Sequence, residues 1–429
     1  MRVALVNPPW TFDGSIYFGC REPHLPIELG AAQVLLEAAC HEAQMFDGAL
    51  DGMDMPAIVE AIAAYGPDLT VVTTAPTYLF WRCTQPEVTV PRRFLHLLGE
   101  GGGRTVAIGP HGSATPRAAL RKLGCDVLVC GESEEAIVTL ADGRPPLEIP
   151  GLAVRADGDV IVTGPPLKTR FTDLPALHWP NRWLRNHRHH HHRFDQEPTG
   201  PGAEIEASRG CPYACSFCAK LDFRDAYRRR DLAILAEEID RLLQQDVTYL
   251  YFIDEIFLPW KELLELLERR KVEFGIQTRI DLWKPDMIEL LGRAGCVSVE
   301  AGVESITESG RESLNKRCRM TTSQLTERLL HTKRHVPFVQ ANLIEVVTDD
   351  TEEVERWRDL MRDAGIWAND PVPLYPYPSS PDYGKLWGTP DDHAWERAHA
   401  HYLAQFSQLS DVQDERPLPL EMLECDEVA

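Results

Sequence analysis

Two successive parallel α/β units, an open sheet followed by a partial barrel of six strands, are what this sequence predicts, and three observations carry that expectation. Short β-branched runs alternate with helical periodicity from the N terminus to about residue 385. Most of those runs are continuously apolar, as strands covered on both faces must be. The rhythm breaks once, over residues 145–200, in a chain whose 429 residues exceed what one core usually holds. The expected units are therefore 1–144, a connection at 145–200, 201–385, and a C-terminal helix and tail at 386–429.

In the first unit, "RVALVN" (2–7), "DLTVVTTA" (68–75), "RTVAIG" (104–109) and "CDVLVCGE" (125–132) read as buried strands. "PIELGAAQVLLEAA" (26–39), "MPAIVEAIAAY" (55–65) and "TPRAALRKL" (115–123) read as the helices between them, and "SEEAIVTLA" as the one that follows. Ligands of such sheets sit beyond the carboxyl ends of the strands. Those ends carry "NPPW", "TTAPT", "GPHGSATP" and "GES", small residues and prolines that either admit a large ligand or simply turn the chain.

The connection holds a hairpin pattern at 152–164 around Asp157-Gly158 and the tract "HRHHHH" (187–192). An exposed repetitive histidine run offers no fixed geometry, so it reads as a solvated linker. The second unit supplies strands at 203–208, 247–254, 273–282, 296–304, 338–347 and 370–378, with helices such as 232–245, 261–270 and 285–295 between them.

Composition narrows the function. Hydrophobic residues are 44% and charged residues 26%, a globular balance, and no apolar run is long enough to span a bilayer. The first residues lack the pattern of a signal peptide, and eleven irregularly spaced cysteines do not read as a disulfide framework, so reduced thiols and a cytoplasmic setting are expected. A formal charge of −22 argues against nucleic acid and for a small-molecule substrate.

Three of the eleven cysteines crowd into "RGCPYACSFCAK": Cys211, Cys215 and Cys218, on a loop after the first strand of the second unit. Three thiolates on one centre can ligate zinc or an iron–sulfur cluster. Structural zinc normally takes a fourth Cys or His nearby, and none follows at a suitable interval. A cube held by three cysteines leaves one iron open, which is a reactive arrangement.

This Cys-x3-Cys-x2-Cys spacing, with Phe217 before the last cysteine, resembles the radical S-adenosylmethionine (SAM) superfamily, and the likeness covers most of residues 203–385. The resemblance implies a [4Fe–4S] cluster on Cys211, Cys215 and Cys218 and SAM on its open iron. It further implies that "YFIDEIF" (251–257) meets the SAM amino group through the backbone near Ile253 and Asp254, with Glu255 where relatives have a second Asp. Gln277, Arg279, Glu300 and Glu304 alternate along the third and fourth strands and would reach the barrel mouth, an Arg toward the SAM carboxylate and a carboxylate toward the ribose. "NLIEVVTDDTEE" (342–353) departs from the family in lacking glycines. "YPYPSSPDY" (375–383) resembles the segment closing the sixth strand, and Tyr375 and Tyr377 would line a substrate cavity with Trp260 or Trp283, or pack in the core.

"VALVNPP", "GPHGSATP" and "DVLVCGESEEAI" resemble the cobalamin-binding domain that precedes the barrel in one radical SAM subfamily. The Asp-x-His-x-x-Gly motif of some cobalamin proteins is absent, and His24 and His41 lack its context, so the resemblance leaves open whether cobalamin binds. The chemistry implied is a radical group transfer in natural-product biosynthesis. It is either cobalamin-dependent methylation or transfer of the 3-amino-3-carboxypropyl group of SAM to arsenite, as in arsinothricin biosynthesis. Cys318 and Cys425 read as isolated thiols. A non-catalytic iron–sulfur sensing protein is the alternative. The electron donor implied is a flavodoxin or ferredoxin, for which Arg224, Arg228, Arg229 and Arg230 offer a basic island, unless that island is only a solvated helix start.

Overall fold

Residues 1–16, 22–79, 83–156, 158–187, 200–220, 223–224, 226–406 and 415–425 are described by the computed structural model. The first sheet contains β1 (Arg2–Asn7), β2 (Glu42–Asp47), β3 (Leu69–Thr73), β4 (Arg104–Ile108), β5 (Val127–Val129), β6 (Leu152–Ala156) and β7 (Asp159–Val162). Its order is β2-β1-β3-β4-β5-β6-β7, parallel through β5, with β6 and β7 joining antiparallel. β3 is buried along its whole length, because Ile27–Ala38 and Glu134–Ala141 cover one face and Met55–Tyr65, Thr89–Leu98 and Pro116–Leu123 cover the other. The sequence reading omitted β2, whose "EAQMFD" is polar and alternates in exposure as an edge strand does. It also assigned the hairpin to the connection. β6 and β7 instead extend the first sheet, since Val127 and Val129 of β5 leave an open edge that Val154 and Leu152 pair.

In the second unit a short antiparallel ribbon, β9 (Ser208–Arg209) with β10 (Arg228–Arg229), brackets the cysteine loop. The main sheet is all parallel: β8 (Gly202–Ile205), β11 (Tyr249–Phe252), β12 (Glu273–Thr278), β13 (Cys296–Glu304), β14 (Phe338–Leu343) and β15 (Trp367–Ala368), in the order β15-β14-β13-β12-β11-β8. Ile276, Val299 and Ala341 face the covering helices, whose leucines Leu263, Leu267 and Leu291 complete that core. The register aligns Gln277, Glu300 and Gln340 in one row on the opposite face.

The sixth strand is not at 370–378. It lies at Trp367–Ala368, and only a single bridge, Ile344 to Val372, continues it. Pro371, Pro373, Pro376 and Pro378 have no N–H to give a ladder.

Buried ion pairs join the two units. Arg209 meets Glu134 at 2.6 Å, Arg224 approaches Glu28 at 3.6 Å, and Arg228 pairs with Glu132. Arg230 pairs with Glu238 at 2.8 Å. Arg224 and Arg230 are each 2% exposed, which removes the expected basic docking island: these guanidiniums hold the molecule together instead. The C-terminal helix Ala394–Gln405 and residues 415–425 lie against the first unit, where Thr89 donates to the Leu423 carbonyl at 2.6 Å and Lys122 meets Glu396 and Glu424, each at 2.8 Å. The histidine tract beyond His187 lies outside the described residues. No helix among those described is long and apolar enough to cross a membrane.

Candidate active site

The cysteine loop is positioned from below by carboxylates. Asp254 accepts from the Ala207 amide at 2.8 Å and from the Ser208 hydroxyl, and Glu255 accepts from the Gly210 amide at 2.9 Å. Gly210 has φ +76°, and a Cβ there would meet the Ala226 carbonyl oxygen at 2.3 Å, so only glycine permits this turn. Arg209 forks onto Glu206 at 2.9 and 3.0 Å. From above, the Ser216 amide donates to the Leu314 carbonyl and the Asp382 amide to the Ser216 carbonyl, both at 2.9 Å.

The three thiols lie within electrostatic reach of one another: Cys215 acts on Cys211, and both act on Cys218. Burial pushes all three thiols up, Cys218 to about 12, where the charges of Cys211 and Cys215 add to the effect. Three thiolates persist in such a place only on a cation, which is what an iron–sulfur cluster provides.

Cationic groups flank Cys215. The Arg279 guanidinium lies 4.2 Å from the centre of the Tyr213 ring and pairs with Asp281 at 2.9 Å. Lys316 pairs with Glu304 at 2.7 Å, and both act electrostatically on Cys215. Glu304 adopts φ +64°, a strained conformation for a side chain of its size, at the point where β13 shifts register. Cys318, read from sequence as isolated, lies within electrostatic reach of Asp281 and Arg279, brought there by a return of the chain that no local spacing announces.

The residues proposed for cofactor contact fall into two sets. Asp254 and Glu255 spend their carboxylates on the cysteine loop, and the Ile253 amide donates to the Ile205 carbonyl at 3.0 Å. Phe217 and Glu304 line one cavity, Arg279 lies over Tyr213 of the cysteine loop, and Gln277 and Glu300 share a row of the sheet. The Tyr251 hydroxyl donates to Glu300 at 2.7 Å, a partner the sequence reading missed. Among the described residues, Gln277 Oε1, Gln340 Oε1, Ser298 Oγ and Arg279 Nη1 are buried and find no hydrogen-bond partner. Polar atoms left so are costly unless something else binds them.

A cavity of about 850 Å³ opens beside the loop, with Phe217, Glu304, Glu345, Tyr375, Lys385 and His401 among its walls. Tyr375 lines it and packs against Tyr377 and Tyr402, with ring centres 4.8 and 5.3 Å apart, whereas Tyr377 is not among the lining residues. Trp283 is fully buried and donates to Thr278 at 2.9 Å, and Trp260 lies under Arg229 at 4.8 Å, so neither is among the cavity's lining residues.

The carboxyl edge of the first sheet is different. Asn7 donates to Asp47 at 2.7 Å and accepts from Trp10 at 2.7 Å and Thr73 at 3.1 Å. His111 lies 3.1 Å from the Thr74 hydroxyl and 2.9 Å from the Gln85 carbonyl, and burial pushes its imidazole down to about 3. His41 contacts Asp142 at 3.0 Å, and His24 contacts Glu204 at 2.6 Å. Each of the three histidines thus has a protein contact.

Residues 205–363 match the family model "Radical SAM superfamily". The anaerobic magnesium-protoporphyrin IX monomethyl ester cyclase of Cereibacter sphaeroides is 26% identical over 90% of this chain, which spans 64% of that protein's length. An uncharacterized methyltransferase of Pyrococcus horikoshii is 24% identical over 83% of the chain and 76% of its own. Among solved structures, the radical SAM methyltransferase TsrM from Kitasatospora setae, with cobalamin and a [4Fe–4S] cluster bound, superposes with TM-score 0.68 at 20% identity, covering 89% of this chain and 76% of that one. The cobalamin-dependent radical enzyme OxsB with aqua-cobalamin superposes with TM-score 0.67 at 16% identity, covering 92% and 56%.

Proposed function

The chain carries a radical SAM domain and is an enzyme of that superfamily, and from this premise we propose that it cleaves SAM reductively to drive a radical group transfer onto a small molecule held in the cavity beside the cysteine loop. The observation that carries the reading is the meeting of the loop and the cavity: Phe217, between Cys215 and Cys218, is part of the cavity wall.

A radical SAM fold implies a [4Fe–4S] cluster, which when bound supplies the single electron that breaks a C–S bond of SAM. The chain's own residues do the positioning. Cys211, Cys215 and Cys218 hold the cluster, and Asp254 and Glu255 hold the loop that carries them. Arg279 Nη1, buried without a protein partner, faces the SAM carboxylate in this reading, while the row Gln277, Glu300 and Gln340 takes the sugar and base edges. The backbone carbonyls near Ile253 and Asp254 take the amino group. The walls keep water from a reactive species. A reduced flavodoxin or ferredoxin is the electron donor proposed, and a cytoplasmic setting goes with the ten described cysteines, all of which are free.

Anaerobic reconstitution tests this reading. We expect iron and sulfide bound in proportion to the three cysteines, and a reduced-cluster electron spin resonance signal that changes shape when SAM is added. A signal indifferent to SAM would leave a sensing role in place of an enzyme.

A second reading, cobalamin-dependent methylation, is favoured by one finding: cobalamin-bound TsrM and OxsB share the fold along 89% and 92% of this chain. His41 and His111 each use both ring nitrogens in protein contacts, and His24 Nδ1 is held by Glu204. Transfer of the 3-amino-3-carboxypropyl group to arsenite is the remaining variant of group transfer, and the SAM fragment left behind distinguishes the two.

A further inference from the structure

Three side chains outside the cysteine site converge from three distant parts of the chain. His24 precedes the first helix, His187 follows the helix Asn181–Asn186, and Glu204 stands on β8. Each is buried: their side chains are 5%, 1% and 0% exposed. His24 Nδ1 lies 2.6 Å and His187 Nε2 2.7 Å from the same oxygen, Glu204 Oε1, and the Leu25 amide donates to Glu204 Oε2 at 3.1 Å. One ligand atom from each residue lies within 4.8 Å of both others.

We infer that His24, His187 and Glu204 form a binding site for a single first-row divalent cation, with zinc the best fit, that pins the first unit and the connection onto the first barrel strand. Two neutral imidazoles and one carboxylate are a donor set zinc favours, at ~2.0–2.2 Å from each ligand atom. The shell that orients them is present. Glu204's second oxygen is fixed by the Leu25 amide. At Gly202 a Cβ would stand 3.0 Å from His187 Nδ1, so the absent side chain makes room for the imidazole ring. Three protein ligands leave one position of a tetrahedral ion for a water molecule.

His187 is also the first residue of the run that reads from sequence as a solvated tract, and it is buried. The test tells it apart from the rest of that run. Full-length protein, cluster reconstituted, is exposed to Zn²⁺, exchanged extensively into metal-free buffer, and assayed for zinc and iron together. We expect about one zinc per chain. It should persist when His189, His190, His191 and His192 are all replaced by alanine and in C211A/C215A/C218A, and fall to near zero in Glu204→Gln and His187→Ala. The near-isosteric Glu204→Gln variant, if its iron content is normal, excludes misfolding as the cause. X-ray absorption at the zinc edge should show nitrogen and oxygen neighbours without sulfur. Zinc lost with the four tract histidines, zinc retained in Glu204→Gln, sulfur in the coordination shell, or no retained zinc at all would each overturn the inference, the last leaving a proton-shared His–Glu–His clasp.

Discussion

The two sheets offer the same kind of edge to a ligand, yet they treat it in opposite ways. At the first sheet, Asn7 bonds Asp47 and Thr73, His111 bonds Thr74 and Gln85, and the C-terminal segment lies across the loops. At the second, the cysteine loop shares a wall with a cavity through Phe217, and Arg279 Nη1, over Tyr213 of that loop, is buried without a hydrogen-bond partner among the described residues. Topology alone makes both edges candidate sites; the cysteine loop and the cavity beside it separate them.

The contrast can be broken most forcefully at the thiols. Cys218→Ala should lower SAM cleavage by at least ~10³-fold and remove most of the iron, measured by product formation and metal analysis, because two thiolates do not retain a cluster whose third iron lacks its ligand. Unchanged iron would erase the distinction between the edges.

Next in size is Trp395→Ala at the closed edge. The indole packs against His111 with ring centres 5.1 Å apart and donates to Thr115 at 3.1 Å. Its removal should cost ~3–5 kcal/mol of stability in denaturant titration. Iron content should be unchanged, since the role of this edge is packing.

Arg279→Ala should cut SAM cleavage ~10–100-fold with iron retained, and raise the SAM concentration needed for half-maximal rate. Equal loss of iron would mean that the guanidinium, over Tyr213, supports the loop rather than the ligand.

The smallest effect is a pH dependence. Burial pushes Glu87, beside the closed edge, up to about 7. A carboxyl whose folded value exceeds its unfolded value of about 4.5 favours folding while protonated. Its contribution is complete below pH ~4.5, declines through pH ~7, and amounts to at most ~3 kcal/mol. Glu87→Gln should therefore flatten the fall in melting temperature across that window, and an unaltered slope would place the titration elsewhere.

Much of this was legible in the sequence where the signal is local. β13 occupies the stretch 296–304 that its alternation suggested, and the cysteine spacing named the loop before any fold was known. Reading failed where tertiary context decides. β2 is too polar to announce itself, since an edge strand needs only one covered side. The arginines at 224 and 230 look like a surface island until Glu206 and Glu238, neither a sequence neighbour, are seen to bury them. Asp254 and Glu255 sit in the expected segment, but their carboxylates serve the loop. His187 and Cys318 reveal their surroundings only after the chain returns to them from far away.

The most direct measurement is the fate of SAM in the anaerobic, reconstituted protein under strong reduction, followed by mass spectrometry with the methyl and aminocarboxypropyl carbons separately labelled. Cleavage that needs all of Cys211, Cys215 and Cys218 and yields a defined fragment is the result predicted; 5′-deoxyadenosine or S-adenosylhomocysteine would point to methyl transfer and methylthioadenosine to aminocarboxypropyl transfer. A fully assembled cluster that leaves SAM intact would contradict the account.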